Sequence, residues 1–151
     1  MSQLETQLLV EAPPAAVFDC FVQKSRWKDF SDFVDLSPGR PIAEGGVFYF
    51  GLRLLHLPPV PLRVKVLRCE RPREVRWVGG IPAFPWFGGE HYFRFEDAGE
   101  GRTHLVHGEK FFGLLRGPFL AVLGEEVRKA YVRFNHGLAA EARLAAGQPQ
   151  P

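Results

Sequence analysis

The last part of the chain carries one apolar stripe at helical spacing. Its members recur every three or four residues, and they are Leu120, Leu123, Val127, Tyr131, Phe134 and Leu138. At 100° per residue, all six fall within about 80° of arc on one helix. Pro118 predicts the start, because proline fits the first helical turn. A helix of about 28 residues is roughly 42 Å long, so its stripe needs one large concave apolar partner, and a curved antiparallel sheet supplies it.

The middle of the chain predicts such a sheet. After an opening strand at 3–10, segments rich in β-branched, aromatic and alternating residues occur at 47–55, 62–69, 74–78, 91–96 and 103–111. Turn signals separate several of them, at 44–46, 71–73 and 97–101. Connections this short favour antiparallel hairpins, because a parallel pair needs a long crossover.

Two short helices are predicted between the first strand and the rest of the sheet. Pro13 and Pro14 suit a first helical turn, and the residues that follow give a short apolar face. Trp27, Phe30 and Phe33 recur every third residue, which predicts a second short helix. We find no repeat and no linker, so we expect a single domain over 1–147 and a disordered tail over 148–151.

Composition narrows the classes of protein. A chain of 151 residues suits one domain. Its scattered charges sum to +2, which gives no reason to expect a nucleic-acid partner. Two cysteines cannot form a disulfide framework. There is neither a signal-peptide pattern nor an apolar run of about 18 residues, so we expect a cytoplasmic protein without integral membrane insertion. The 14 phenylalanines must line a core, a cavity or an interface.

Three segments resemble one known superfamily. The stretch 10–18, VEAPPAAVF, resembles the start of START-like domains, the group also called SRPBCC, Bet v 1-like or polyketide cyclase/dehydrase-like. Glu44-Gly45-Gly46 is similar to the turn before the family's third strand. The stretch 103–115, THLVHGEKFFGLL, resembles the segment that leads into its C-terminal helix. The order of the predicted strands and helices also resembles that of the family, and with it the resemblance covers about residues 3–146.

The resemblance implies an α+β helix-grip fold. In this fold a seven-stranded curved antiparallel sheet wraps around a long C-terminal helix, and two short helices follow the first strand. Such domains usually hold an apolar cavity between sheet and helix. Members include lipid and sterol carriers, plant hormone binders, aromatase/cyclases and chaperone-associated modules, so the fold alone leaves the function open. We expect no cofactor and no metal ion.

Strand alternation indicates which side chains face the helix. His91, Phe93 and Phe95 share one face of their strand, and Glu90 and Arg94 share the other. We assign the first set to the interior, because burying the two charged side chains is costly.

A small polar group is predicted on the inner face. If the 97–101 turn closes a hairpin, the numbers of paired residues sum to about 198–200, which brings His91 near His107 and Glu109. These three are the only candidates for catalysis, and three interpretations stay open. They form a structural hydrogen-bonded cluster or lie at the solvated rim; they form the polar end of an apolar cavity; or they bind a metal or act as acid and base.

The expected binding residues come from the strands and the last helix. The cavity lining is predicted to include Phe48, Phe50, Trp77, Phe93, Phe95, Leu123, Val127, Tyr131 and Phe134, with His91, Glu109 and Asn135 as polar members. Two loops, 54–61 and 79–89, are apolar, and the second has glycines at both ends, which is typical of a flexible loop. Their rim residues are Leu57, Phe84, Trp86 and Phe87, with Phe119 beside them. Four interpretations of these two loops stay open: they gate a cavity, they touch a membrane transiently, they contact a partner, or they fold back over the core.

The leading hypothesis is a binding protein. It would hold a small hydrophobic or amphipathic molecule, such as a lipid or polyketide-like compound, for transport or sequestration. The alternative is a cyclase or dehydratase acting in the same cavity. A second alternative is a chaperone-associated interaction module, which predicts a filled interior and an exposed apolar patch. Both a monomer and a homodimer are compatible with the sequence.

Overall fold

A computed structural model of the chain describes residues 2–82 and 84–147. Its elements are β1 (Gln3–Val10), α1 (Pro14–Phe21), a 3₁₀ turn (Lys24–Arg26), α2 (Trp27–Phe30), β2 (Phe33–Asp35), β3 (Val47–Leu52), β4 (Val60–Glu70), β5 (Glu74–Gly80), β6 (Gly88–Gly99), β7 (Arg102–Phe112) and α3 (Arg116–Ala145). The tail that we predicted to be disordered, 148–151, lies outside the described residues. None of the described helices is long and apolar enough to cross a membrane.

The seven strands form one antiparallel sheet in the order β1-β7-β6-β5-β4-β3-β2. Every neighbouring pair is antiparallel, and β1 lies beside β7, so the first strand joins the last hairpin. The sheet curls around α3, with the short helices following β1. The predicted α+β helix-grip fold is therefore confirmed.

The β6–β7 hairpin has a register within the predicted range. His91 pairs with Glu109 and Phe93 with His107, so that paired numbers sum to 200. Because side chains alternate along each strand, this register brings both imidazoles and the carboxyl group to the inner face.

The prediction that Phe33 belongs to the second short helix is wrong. Helix α2 ends at Phe30, and Ser31 has an extended backbone with φ of −152°. The Ser31 hydroxyl accepts a hydrogen bond from the Phe33 backbone N–H at 3.0 Å. Phe33 then begins β2 and pairs with Leu52 of β3. A three-residue strand with a distant partner leaves no periodic signal in the sequence.

Helix α3 is packed solidly at one end only. Its second half meets a cluster of rings from the short helices and the sheet, where the Phe134 ring centroid lies 5.8 Å from that of Trp27 and 4.6 Å from that of Phe33. Trp27, Phe33 and Phe134 are completely buried. The first half of α3, from Phe119 to Tyr131, instead faces a cavity. The two short helices therefore decide where the solid core ends.

The close approach of α2 to α3 predicts the effect of one substitution. A Cβ atom at Gly137 would lie 2.6 Å from the carbonyl oxygen of Phe30 and 2.4 Å from its ring. We expect Gly137→Ala to lower the free energy of unfolding by about 1–3 kcal/mol through overpacking.

The matched control is Gly124→Ala on the same helix. Its Cβ would meet Leu120 at an ordinary 3.6 Å, and the higher helix propensity of alanine should raise the free energy of unfolding by up to about 1 kcal/mol. Urea unfolding measures the free energy of unfolding of both variants. Equal values for Gly137→Ala and Gly124→Ala would contradict the close packing of α2 on α3.

Candidate functional site

A cavity of about 280 Å³ lies between the sheet and the first half of α3. Most of its wall consists of apolar side chains and of glycine backbone. His91, Glu109 and Tyr131 meet at the inner end, next to the solid core, and Trp77 beside them adds an indole N–H to the lining. The outer end is bounded by the β3–β4 and β5–β6 loops and by Phe119. The site is therefore an apolar pocket with one polar end.

Seven of the twelve predicted binding residues line this cavity: Phe50, Trp77, His91, Glu109, Leu123, Val127 and Tyr131. The other five are Phe48, Phe93, Phe95, Phe134 and Asn135, which are buried in the packed core and do not line it. Rings from α1 and α2 cover the four phenylalanines: Phe93 lies 4.4 Å from Phe21 between ring centroids, and Phe48 lies 6.3 Å from Trp27. Alternation placed these side chains on the inner face, but not at the right depth.

The predicted rim residues divide in the same way. Phe87 and Phe119 line the cavity, and their ring centroids are 4.3 Å apart. Phe84, Trp86 and Leu57 are not in the lining. Trp86 and Leu57 are 52% and 59% exposed. A pair of aromatic rings thus lines the outer end of the cavity, and further apolar side chains on the two loops that bound this end face solvent.

Twelve lining residues were not among the predicted site residues. Seven of them lie within the two loops predicted at the rim, 54–61 and 79–89: Leu54, Val60, Gly79, Gly80, Ile81, Gly88 and Gly89. The other five had no such prediction: Phe33, Leu52, Leu62, Val64 and Phe111. Two of these had a readable signal, since Leu62 and Val64 alternate with charged residues along β4. Phe33 had none, because its strand was not predicted.

The prediction that the glycines at both ends of 79–89 belong to a flexible loop is wrong, because they are strand residues of β5 and β6. Gly79 of β5 pairs with Gly89 of β6. A Cβ atom at Gly89 would lie 2.0 Å from Oε2 of Glu109. Glycine is therefore required here so that the Glu109 side chain can lie across the neighbouring strand. Gly79 and Gly89 thus form part of the cavity wall, and the Glu109 carboxyl group occupies the space above Gly89.

A continuous chain of hydrogen bonds runs from β1 to the cavity. The Thr6 hydroxyl donates to the carbonyl oxygen of His107 at 3.0 Å, so its oxygen accepts from Nδ2 of Asn135 at 2.8 Å. Oδ1 of Asn135 must then accept from Nδ1 of His107, at 2.7 Å. Nε2 of His107 lies 2.7 Å from Nε2 of His91. Asn135, expected to contact a ligand, instead holds the inner histidine.

This chain fixes the proton positions on both imidazoles. Burial lowers the pKa of His107 to about 3 and that of His91 well below its usual value, so both rings are neutral near neutral pH. With its proton on Nδ1, His107 accepts at Nε2, and His91 donates from its own Nε2. Nδ1 of His91 therefore carries a lone pair, and it lies 3.9 Å from Oε1 of Glu109.

Glu109 and Tyr131 complete the polar end. The Tyr131 hydroxyl donates a hydrogen bond to Oε1 of Glu109. Burial raises the pKa of Glu109 to about 7, and burial together with the neighbouring carboxylate raises the pKa of Tyr131 well above 10. The Glu109 side chain is 16% exposed. A carboxyl group that titrates near neutral pH therefore faces the cavity beside an imidazole lone pair.

The geometry does not favour a metal centre at these residues. The Nε2 atoms of His91 and His107 lie 2.7 Å apart and are hydrogen-bonded to each other. Two nitrogen ligands of one zinc ion lie roughly 3.3 Å apart, so these two atoms are too close together for that role. Within 2–82 and 84–147, no three His, Cys, Asp or Glu side chains are arranged to hold a metal ion.

The burial of Glu109 predicts how stability depends on pH. Its pKa is about 7 in the folded protein against 4.5 ordinarily, so between these values the folded protein binds more protons than the unfolded chain. The contribution of Glu109 to the free energy of unfolding therefore falls as pH rises through this range, by about 3 kcal/mol in total. Gln does not titrate, so the stability of Glu109→Gln relative to the unsubstituted protein should rise by about that amount between pH 4.5 and 7.5.

The control for this experiment is Glu125→Gln on the exposed side of α3. Arg128 lowers the pKa of Glu125 through a side-chain hydrogen bond, so its stability difference should change little above pH 4.5, and in the direction opposite to that of Glu109→Gln. Urea unfolding of the three proteins across this pH range measures both differences. A Glu109→Gln difference that does not vary with pH would rule out the raised pKa.

Comparisons with known proteins place this chain in a family. Residues 1–143 match the family described as polyketide cyclase / dehydrase and lipid transport. No curated protein matches the chain significantly. Among solved structures, the Zhui aromatase/cyclase from Streptomyces sp. R1128 is similar, with a TM-score of 0.73, 17% identity, and coverage of 97% of this chain and 98% of that one. A hypothetical protein from Helicobacter pylori has a TM-score of 0.74 and 13% identity, over 93% of this chain and 88% of that one. At such identities the likeness concerns the fold alone, but with the family match it shows that the chain belongs to the polyketide cyclase/dehydrase and lipid transport family of the START-like (SRPBCC) superfamily.

Proposed function

We propose that this protein binds a small hydrophobic or amphipathic molecule in the cavity between the sheet and α3. The observation that carries the proposal is a cavity of about 280 Å³ with apolar walls and a single polar end. Ligand sites commonly combine apolar walls with a few placed polar groups. Release and uptake would take place at the outer end, beside Phe87 and Phe119.

The size of the cavity suits a compact guest. An apolar cavity of about 150 Å³ holds benzene, so a volume nearly twice as large suits two or three aromatic rings or a medium-length chain. Burying about 300 Å² of apolar ligand surface would supply a gross 7–8 kcal/mol, before the costs of association and ordering. That is enough for binding without any charged contact.

A second candidate function is catalysis in the same cavity, and one observation favours it. The Glu109 carboxyl, with a pKa of about 7, is half ionised near neutral pH and faces the cavity. As a base it would take a proton from the carbon between two ketone groups. The resulting carbanion would attack another carbonyl carbon of the same molecule, and the alkoxide formed would take the proton back from Glu109. Loss of water would then give a dehydrated ring, which is the chemistry of a cyclase or dehydratase.

The interaction-module alternative has less support. It predicts a filled interior, whereas the cavity here leaves room for a guest. The exposed apolar side chains at the outer end, such as Trp86 and Leu57, fit this alternative as well as they fit the rim of a binding site.

Filling the cavity tests the binding proposal. N-phenyl-1-naphthylamine is a neutral probe whose fluorescence rises in apolar surroundings. We expect it to bind the unsubstituted protein, and we expect Leu123→Trp, which places a larger ring in the lining, to weaken binding at least 10-fold. The matched control is Val122→Trp, one residue away and 78% exposed, which should bind as before. Gently purified protein should also carry an apolar molecule detectable by mass spectrometry. A probe that binds both variants equally, or neither of them nor the parent, would refute the proposal.

The catalytic candidate is tested by turnover of a linear poly-β-ketone analogue. If Glu109 is the base, Glu109→Gln should lower kcat by about 100-fold or more. Glu125→Gln is the control and should leave kcat unchanged. An absence of turnover by the unsubstituted protein, or an unchanged kcat in Glu109→Gln, would rule out this reaction and leave the binding proposal intact.

A further inference from the structure

The polar end of the cavity presents hydrogen-bond acceptors when Glu109 is ionised. The chain of hydrogen bonds from Thr6 through Asn135 and His107 requires His91 to carry its proton on Nε2. Its lone pair is therefore on Nδ1, at the cavity wall. Tyr131 uses its only proton for Oε1 of Glu109. Oε2 of Glu109 accepts no hydrogen bond within the described part of the chain. Two acceptors are thus free at the inner end, whereas the Tyr131 hydroxyl and the Nε2–H of His91 already donate to Glu109 and His107.

The lining also lacks a positive charge. None of the described residues around the cavity is a lysine or an arginine, and its single histidine is neutral near neutral pH. The basic side chains of β4 and β5, such as Lys65 and Arg76, alternate with the lining residues and point away from it. A carboxylate or phosphate taken to the inner end would therefore lose its hydration without gaining a cation. It would also face the charge of Glu109.

We infer that the inner end selects a compact apolar molecule that carries a neutral hydrogen-bond donor, such as a phenolic or alcoholic hydroxyl, and rejects the matching carboxylate. The hydroxyl donates to Oε2 of Glu109 or to Nδ1 of His91, and the apolar body lies against Trp77, Leu123 and Val127. This inference rests on the proposed binding function and names the class of ligand. His91 and Glu109 are then specificity-determining residues, whatever the further fate of the ligand.

Four probes of the same two-ring size test the selection. They are naphthalene, 2-naphthol, 2-methoxynaphthalene, which keeps the oxygen but lacks the donor, and 2-naphthoate. Their affinities are measured at pH 8.5 by displacement of N-phenyl-1-naphthylamine. At this pH Glu109 and the naphthoate are ionised, whereas a phenol with a pKa near 10 keeps its proton. We expect 2-naphthol to bind about 10-fold or more tightly than 2-methoxynaphthalene, and 2-naphthoate to bind at least 10-fold more weakly than naphthalene.

The Glu109→Gln variant removes the charge at the inner end and keeps its shape. In it, the preference for 2-naphthol should shrink, and 2-naphthoate should approach the affinity of naphthalene. Glu125→Gln should reproduce the affinities of the unsubstituted protein. The ranking of the four probes on the unsubstituted protein stands on its own if Glu109→Gln does not fold.

Two kinds of failure are distinguishable. If 2-naphthoate binds as tightly as 2-naphthol, or if 2-methoxynaphthalene equals 2-naphthol, the selection is overturned while the cavity remains a binding site. If none of the four probes binds, naphthalene included, the proposed function fails and this inference fails with it.

Discussion

The hydrogen bond between Asn135 and His107 is the interaction on which the arrangement of the interior depends. It joins α3 to β7 inside the protein, and both partners are buried. A buried polar group that loses its partner costs about 1–3 kcal/mol. Sliding α3 along the sheet would break this bond and the one from Asn135 to Thr6, so the pair fixes the position of the helix. That position places Tyr131 beside Glu109 and thereby defines the polar end of the cavity.

The same bond divides the interior into two parts. From Phe134 towards the C-terminus, the helix packs against rings carried by α1, α2 and β2. From Phe119 to Tyr131, the helix faces the cavity. The close packing of Gly137 against Phe30 also holds the helix in place. The chain of hydrogen bonds adds the cost of leaving buried polar groups unpaired if the helix slides, and it gives the cavity a defined floor.

How much of this could be predicted from the sequence depends on the range of the interaction. The stripe on α3 and the short turns predicted a long helix against a curved antiparallel sheet, because both are local patterns. The seven-stranded helix-grip fold was implied by the resemblance to START-like domains. The alternation and the 97–101 turn predicted that His91 would lie near His107 and Glu109, since a hairpin is a local pairing. Depth along the helix was not predictable. Phe48 and Phe50 share a face of β3, yet only Phe50 lines the cavity, because α1, α2 and the short strand β2 decide where the core ends.

The glycines show the other limit of a sequence pattern. Two glycine pairs around an aromatic loop suggested flexibility, whereas Gly79 and Gly89 pair within the sheet. Their role depends on a side chain from a strand that is distant in sequence, since the Glu109 carboxyl occupies the space that a Cβ at Gly89 would take. No single-chain pattern announces such a relation. It becomes visible only when the register of three strands is known.

The polar end of the cavity lowers the stability of the folded protein, and this bears on its function. A carboxyl group whose pKa is raised to about 7 by burial weakens the folded state near neutral pH, and the one side-chain hydrogen bond from Tyr131 offsets only part of this. An aliphatic side chain at position 109 would pack against the same apolar wall without that cost. Local choices that oppose stability are expected where a protein binds or reacts. The unfavourable residue lies at the inner end of the cavity, where the hydrogen-bond chain from β1 also terminates. Two independent features, one energetic and one geometric, thus lead to the same atoms, Oε2 of Glu109 and Nδ1 of His91.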